Sequence, residues 1–354
     1  MTRFSELDTP CVLIDLDLVE ANLRRAQDAA DHAGINLRPH IKTHKLPLFA
    51  KRQIALGAVG ITVQKLGEAE VMADAGITDM LLTFNIIGAT KLARLAALHE
   101  RVDISVVADS AACVAGLSTT FAAASRPLRV FVECDTGMGR CGVQLPAAAL
   151  DLARQVTASP GLAFAGLMTY PAAGKYAEAN AWLSAAKALF AAEGIDLPAI
   201  TTGGTPDIWH LGEAAGIASE YRPGTYIYMD RSQVAAGAAS YADCALTVLA
   251  SVVSRPTESR AIIDAGSKTL TSDLLGLQGH GHVLEYPEAR IVGLSEEHGT
   301  LDLSASAEKP EIGELIRIVP NHCCPVSNLF DRVHLVRDGM VVDVVAVAAR
   351  GRVD

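Results

Sequence analysis

The chain has 354 residues, half of them apolar, and a formal net charge of -10. That length can bury one large core plus a smaller one, and the acidic balance, with no basic stripe interleaved with aromatics, argues against nucleic acid as a partner. No apolar run reaches the roughly eighteen residues of a membrane span and no signal-peptide core stands at the start, so the expectation is a cytoplasmic protein with no membrane partner.

Seven cysteines, an odd number spread through a long chain, read as reduced thiols. Cys11, Cys113, Cys134 and Cys244 lie in apolar contexts and read as core.

From Cys11 to about Gly204, short β-rich runs alternate with longer helix-patterned segments. The runs are Val12 to Leu16, Leu37 to Lys42, Gly60 to Gln64, Met80 to Asn85, Asp103 to Ala108, Leu128 to Cys134, Ala163 to Thr169 and Ile200 to Thr202. Between them, stretches such as Val19 to Ala33 and Ala177 to Glu193 carry apolar residues at helical spacing. Eight strand-helix units predict a (β/α)8 TIM barrel, in the α/β class, over residues 8–239. No Gly-x-Gly-x-x-Gly follows the first run, which disfavours a dinucleotide fold. Over 240–354 the helical pattern gives way to β-rich runs punctuated by Gly, Pro and Asp, which predict a C-terminal antiparallel β domain.

Arg38-Pro39-His40-Ile41-Lys42-Thr43-His44-Lys45 has the wrong polarity for a core strand. If Leu37 to Lys42 is extended, Arg38, His40 and Lys42 share one face. Burying an ammonium costs several kcal/mol unless it is paired, neutralised or made covalent. Two readings stand: a solvated basic loop, or a site in which Lys42 forms a Schiff base with an aldehyde cofactor.

Barrel active sites lie at the C-terminal ends of the strands, which directs attention to Gln64, to the glycine-rich loop carrying Arg140, and to Tyr170. Gly203-Gly204-Thr205 and Arg222-Pro223-Gly224-Thr225-Tyr226 are candidate anion cradles. In the last domain, His322-Cys323-Cys324-Pro325, taken as extended, points His322 and Cys324 the same way. Imidazole plus thiolate suits zinc or another divalent ion with positions left for water and substrate, although half-buried cysteines beside a structural histidine would read the same. His280, His282 and His298 lie in the same domain, and Gly279 to His282 is either cleft lining or loop.

In order along the chain, the Arg-Pro-His-x-Lys-x-His-Lys run, Gln64-Lys65, Gly139-Arg140-Cys141-Gly142-Val143, Gly203-Gly204-Thr205, Pro223-Gly224-Thr225-Tyr226 and His322-x-Cys324-Pro325-x-x-Asn328-Leu329-x-Asp331 resemble one family. It is the D-threonine aldolase and D-serine dehydratase family of fold-type III pyridoxal-phosphate enzymes, and the likeness runs from about Asp8 to Gly351. The resemblance implies an alanine-racemase-like barrel plus β domain, assembled as a homodimer. It implies pyridoxal 5'-phosphate on Lys42, with Gln64 and Arg140 near the cofactor's phenolic oxygen and Tyr170 beside its ring. Gly203, Gly204, Thr205, Gly224 and Thr225 would hold the phosphate, and His322 with Cys324 a divalent metal (Zn, or Mn or Mg). Lys45, the rival lysine, is expected one turn into the following helix.

Two features depart from the family pattern. Pro171 stands where members carry a histidine after the tyrosine, so it offers no base there. Aldolases often have His-x-Asp where this chain has His322-x-Cys324, the dehydratase form. The form of Pro223 to Asp230 leans towards the aldolase branch. The leading reading is a lyase that cleaves D-3-hydroxy amino acids to glycine and an aldehyde. Alternatives are a D-serine or D-3-hydroxyaspartate dehydratase, a metal-free amino-acid racemase, and a non-catalytic pyridoxal-phosphate carrier.

Overall fold

The computed structural model describes residues 2–354, which form two compact units. One comprises Arg25–Lys42, Pro47–Gly224 and Arg352–Asp354; the other comprises residues up to Arg24, Thr43–Leu46 and Thr225–Gly351.

Strands are numbered along the chain, and β1 (Cys11–Asp15) belongs to the second unit. The first unit holds β2 (Asn36–Leu37), β3 (Ile61–Val63), β4 (Asp79–Leu82), β5 (Asp103–Ala108), β6 (Leu128–Cys134), β7 (Leu162–Thr169), β8 (Ile200–Thr202) and β9 (Glu220–Tyr221). All eight are parallel, in the order β2-β9-β8-β7-β6-β5-β4-β3. A parallel bridge between His40 and Thr62 joins the two ends, the Thr62 N–H donating to the Pro39 carbonyl at 2.7 Å. The longer of these strands, such as β5 and β6, are buried along most of their length, as in a sheet covered on both faces, and Leu81, Val107, Phe131 and Met168 pack together inside. Beneath them the buried Arg38 pairs with Glu220 at 3.0 Å and with Asp79. Burial alone would lower its pKa, but Glu220 and then Asp79 win and raise it.

Eight barrel strands were expected and eight are present, but with different membership. Val12 to Leu16 is not a barrel strand: Cys11–Asp15 joins the other sheet, and the missing position is filled by the two-residue β9. Leu37 to Lys42 is not a strand either. Pro39 has no N–H to give a ladder, and the chain leaves β2 after Leu37 to enter a 3-10 turn at Ile41–Thr43. Arg38 and Lys42 therefore do not share the face of one pleat.

The second unit is built on a nine-stranded sheet. Beyond β1 it contains β10 (Leu246–Thr257), β11 (Arg260–Ile263), β12 (Gly281–Val283), β13 (Arg290–Leu294), β14 (Gly299–Asp302), β15 (Leu315–Pro320), β16 (Arg332–Arg337) and β17 (Met340–Ala346). Their order is β11-β14-β13-β12-β15-β10-β1-β16-β17, antiparallel except where β1 runs parallel to β16. The expected antiparallel domain is thus present, completed in its interior by an N-terminal strand. Cys11, Leu13, Leu249 and Val336 pack as one cluster there.

All seven cysteines are free thiols, and the four expected in the core are buried. Among the described residues, no helix is long and apolar enough to cross a membrane.

Candidate active site

In the barrel unit, Lys42 stands in the 3-10 turn that follows the closing bridge. Its Nζ lies 5.9 Å from the centroid of the Tyr170 ring, and the Arg140 guanidinium lies 5.4 Å from the same ring. Tyr170 is the residue after β7 and Arg140 comes from the loop after β6, so separate strand ends bring the three together.

Gln64 reaches this group through His40. Its amide nitrogen donates to the Thr83 carbonyl at 2.8 Å, which leaves Oε1 to accept from His40 Nε2 at 3.1 Å. His40 Nδ1 in turn accepts from the Lys42 N–H at 3.3 Å. The two contacts assign a neutral imidazole protonated on Nε2, a brace from Gln64 to the backbone of Lys42. His40 is a site residue that the sequence reading placed near Lys42 but gave no role.

Gly203 and Gly204 follow β8. Gly203 has φ +91°, and a Cβ there would run into the Tyr221 ring. A Cβ on Gly204 would lie 3.0 Å from the Tyr170 ring, so a side chain would fill the space under Tyr170. The Tyr221 hydroxyl donates to the Gly204 carbonyl at 3.0 Å, and the Gly224 N–H donates to Thr205 Oγ1 at 3.2 Å, tying the two candidate cradles together. A glycine pair opening a helical segment, Thr205–Ala214, is the chemistry of a phosphate cradle. With a lysine and an aromatic ring beside it, this group fits pyridoxal phosphate.

Arg222 is a further buried group that sequence reasoning placed only in a cradle. Its Nε donates to Thr201 Oγ1 at 2.9 Å and its terminal nitrogen to the Thr169 carbonyl. Burial pushes its pKa down to about 10 against the pull of Glu220, Glu133 and Tyr170. Glu133, also buried, has its pKa raised by burial and by Asp109, with Arg140 and Arg222 opposing. Potential ligand atoms of Asp109, Glu133 and Cys141 lie within 4.8 Å of one another.

In the sheet unit, His322 and Cys324 are not on an extended strand. A helix begins at Cys323 (Cys323–Leu329), with His322 at its N-cap. The two side chains are hydrogen-bonded to each other all the same. Cys323 is fully buried, and its N–H donates to the buried Asp230 carboxylate at 3.0 Å. The Cys324 sulfur lies 3.2 Å from the Thr43 hydroxyl and 3.8 Å from that of Thr225. Thr225 is the residue expected with the phosphate group. His322 Nδ1 donates to Asp273 Oδ2 at 2.8 Å. Burial opposes protonation of His322, but Cys324 and then Asp273 bring its pKa up to about 9. Imidazole plus thiol, backed by a carboxylate on the far ring nitrogen, fits a borderline divalent ion.

Lys45 is not in the following helix, which starts at Pro47. It adopts φ +56° and points its Nζ at the Ala349 carbonyl, 3.4 Å away. Lys42, Gln64, Tyr170, Arg140, Gly203, Gly204, Thr205 and Gly224 thus belong to one unit, and Thr225, His322 and Cys324 to the other.

Residues 14–232 match the family model for the alanine racemase N-terminal domain, and 245–336 match a putative serine dehydratase domain. A D-threonine aldolase of Arthrobacter sp is 37% identical, over 98% of this chain and 94% of its own. The chain belongs to the D-threonine aldolase and D-serine dehydratase family of fold-type III pyridoxal-phosphate enzymes.

Among solved structures of this family, the D-threonine aldolase from Filomicrobium marinum superposes with a TM-score of 0.92 at 35% identity, covering 99% of this chain and 98% of that one. The D-threo-3-hydroxyaspartate dehydratase from Delftia sp. HT23 gives 0.87 at 29%, covering 96% and 98%. Solved structures named D-threo-3-hydroxyaspartate dehydratase also include a cysteine-to-alanine variant in the metal-free form and a histidine-to-alanine variant, the altered positions lying two residues apart.

Proposed function

We propose that this protein is a lyase, dependent on pyridoxal phosphate and a divalent metal, that cleaves D-3-hydroxy amino acids into glycine and an aldehyde. The observation that carries the reading is the grouping of Lys42 and Arg140 on the Tyr170 ring above the Gly203-Gly204 turn. The similarity to D-threonine aldolases across the whole chain names the chemistry.

When bound, pyridoxal phosphate supplies an electron sink at the α carbon of an attached amino acid. Lys42 holds it through Nζ, and its backbone N–H is fixed by His40 and Gln64. Gly203, Gly204, Thr205 and Gly224 would hold the phosphate, and Tyr170, with Arg140 against its ring, would orient the cofactor. His322 and Cys324 would hold the metal, which supplies Lewis-acid polarisation of a hydroxyl.

Which proton is lost decides the products. Loss of the proton on the 3-hydroxyl directs cleavage between the α and β carbons. Removal of the α proton by Lys42 Nζ directs loss of hydroxide from the β carbon, and the released enamine, as its imine tautomer, is hydrolysed by water to a keto acid and ammonia.

A dehydratase is the second reading. It is favoured by the His322-x-Cys324 pair, which has the spacing of the histidine and cysteine altered in solved variants of a D-threo-3-hydroxyaspartate dehydratase. Incubating the protein with pyridoxal phosphate, Mn²⁺ or Zn²⁺, and D-threonine, D-phenylserine or D-threo-3-hydroxyaspartate separates the two. Glycine plus aldehyde establishes the aldolase, and ammonia plus keto acid the dehydratase. Turnover to the opposite enantiomer, indifferent to chelator, would overturn both in favour of a racemase. We take the working form to be a homodimer, which light scattering at twice the chain mass would test.

A further inference from the structure

In the sheet unit, the side chain set against the far ring nitrogen of a candidate ligand is Asp273. It lies in the irregular segment between the short helix Ser267–Leu270 and β12. Its carboxylate accepts from His322 Nδ1 at 2.8 Å. The backbone that carries it is clamped by Asn321, the residue before that histidine. Asn321 Nδ2 donates to the Asp273 carbonyl at 3.0 Å and to the Gly279 carbonyl at 2.8 Å. Asn321 Oδ1 accepts from Arg231 at 3.0 Å, so the amide's orientation is assigned by its partners. The Asn321 side chain is buried, and the Asp273 N–H adds a bond to Thr271 Oγ1 at 3.2 Å.

These contacts close a ring. The chain joins Asn321 to His322, Asn321 holds the Asp273 backbone, and the Asp273 side chain returns to the His322 imidazole. The segment also keeps two non-glycine residues in the left-handed half of backbone space, Thr271 at φ +68° and Leu275 at φ +49°, two positions either side of Asp273. Such conformations persist where surrounding contacts over-determine them, and they mark segments held for a purpose.

We propose that Asp273 is the positioning residue of the metal site: it fixes His322 with its proton on Nδ1, so that Nε2 carries the lone pair beside the Cys324 sulfur, and it is not itself a ligand. The inference rests on the reading of His322 and Cys324 as the metal pair. A carboxylate on the outer nitrogen of a ligating histidine sets its tautomer and ring angle and strengthens it as a donor. Oδ2 is occupied by the Nδ1 proton, which is what distinguishes a brace from a third ligand.

The test titrates the full-length, pyridoxal-phosphate-loaded protein with Co²⁺ after chelator treatment, reading both the dissociation constant and the cobalt spectrum. Asp273→Ala is expected to weaken binding by about 10- to 100-fold, with the thiolate-to-cobalt band intact because Cys324 still ligates. Asp273→Asn should recover part of that loss, since its amide oxygen still accepts from Nδ1–H, and it carries the test if the alanine variant does not fold. Unchanged affinity in both variants overturns the proposal. So does an asparagine variant as weak as alanine with altered ligand-field bands, which would make Asp273 a ligand. Retention of Co²⁺ by His322→Ala would instead sink the metal reading itself, so the two failures are distinguishable.

Discussion

The barrel assembles its candidate chemistry from many places, whereas the mixed-sheet unit assembles its candidate ligands from one tripeptide. Lys42, Gln64, Arg140, Tyr170 and the Gly203-Gly204 turn come from five separate connections between strands. His322 and Cys324 are two residues apart, supported by Asp273 and Thr225. A site distributed over strand ends is only as stable as the barrel beneath it. A site written into a single helix start can lose its ligand without unsettling the sheet behind it.

That contrast can be broken by experiment, beginning with the largest effect. Lys42→Ala should abolish turnover and the visible absorbance of bound cofactor, while circular dichroism stays native; retained activity would end the assignment. His322→Ala and Cys324→Ala should each remove chelator-sensitive activity and bound metal, measured by elemental analysis. Their melting temperatures in excess chelator should stay within a few degrees of the parent protein, about the shift expected from less than 1 kcal/mol.

Glu220→Leu tests the opposite side of the contrast. It strips the carboxylate that takes two hydrogen bonds from the buried Arg38, and breaking a buried pair by deleting one partner costs about 3–5 kcal/mol. Asp79 remains, so the lower end of that range is expected in urea unfolding. Gly203→Ala should weaken pyridoxal-phosphate affinity and stability together, because the new Cβ collides with the Tyr221 ring at a φ that side chains rarely adopt. The smallest change is expected from Thr43→Val. Losing one hydrogen bond to the Cys324 sulfur is worth about 0.5–1.5 kcal/mol, or roughly 2- to 10-fold in metal affinity. A loss of stability in Thr43→Val as large as that of Glu220→Leu would erase the distinction between the two regions.

Much of this was legible beforehand because the signals are local. A glycine pair after a β-rich run, a lysine in an otherwise misplaced polar segment, and a histidine and thiol two residues apart each announce themselves within a few positions. The supporting residues do not. Nothing near Asp273 in the sequence points to His322, and nothing near His40 points to the amide of Gln64. The extended reading of His322 to Cys324 failed because residues two apart share a face in a strand, while the chain there turns into a helix at Cys323. The pair meets through the N-cap geometry of His322 instead.

By itself, the sequence determined the alternation of buried strands with amphipathic helices, the family, and the principal candidate residues, because burial and side-chain chemistry are written in local pattern. The tertiary structure alone decided partners. Cys11–Asp15 and β8 are both runs of buried residues, yet one completes the nine-stranded sheet and the other the barrel. The two-residue β9 is too short to carry a period, and becomes a strand only because β2 and β8 lie on either side of it. A run of buried residues states that it must be covered; which distant segment covers it depends on how the whole chain closes.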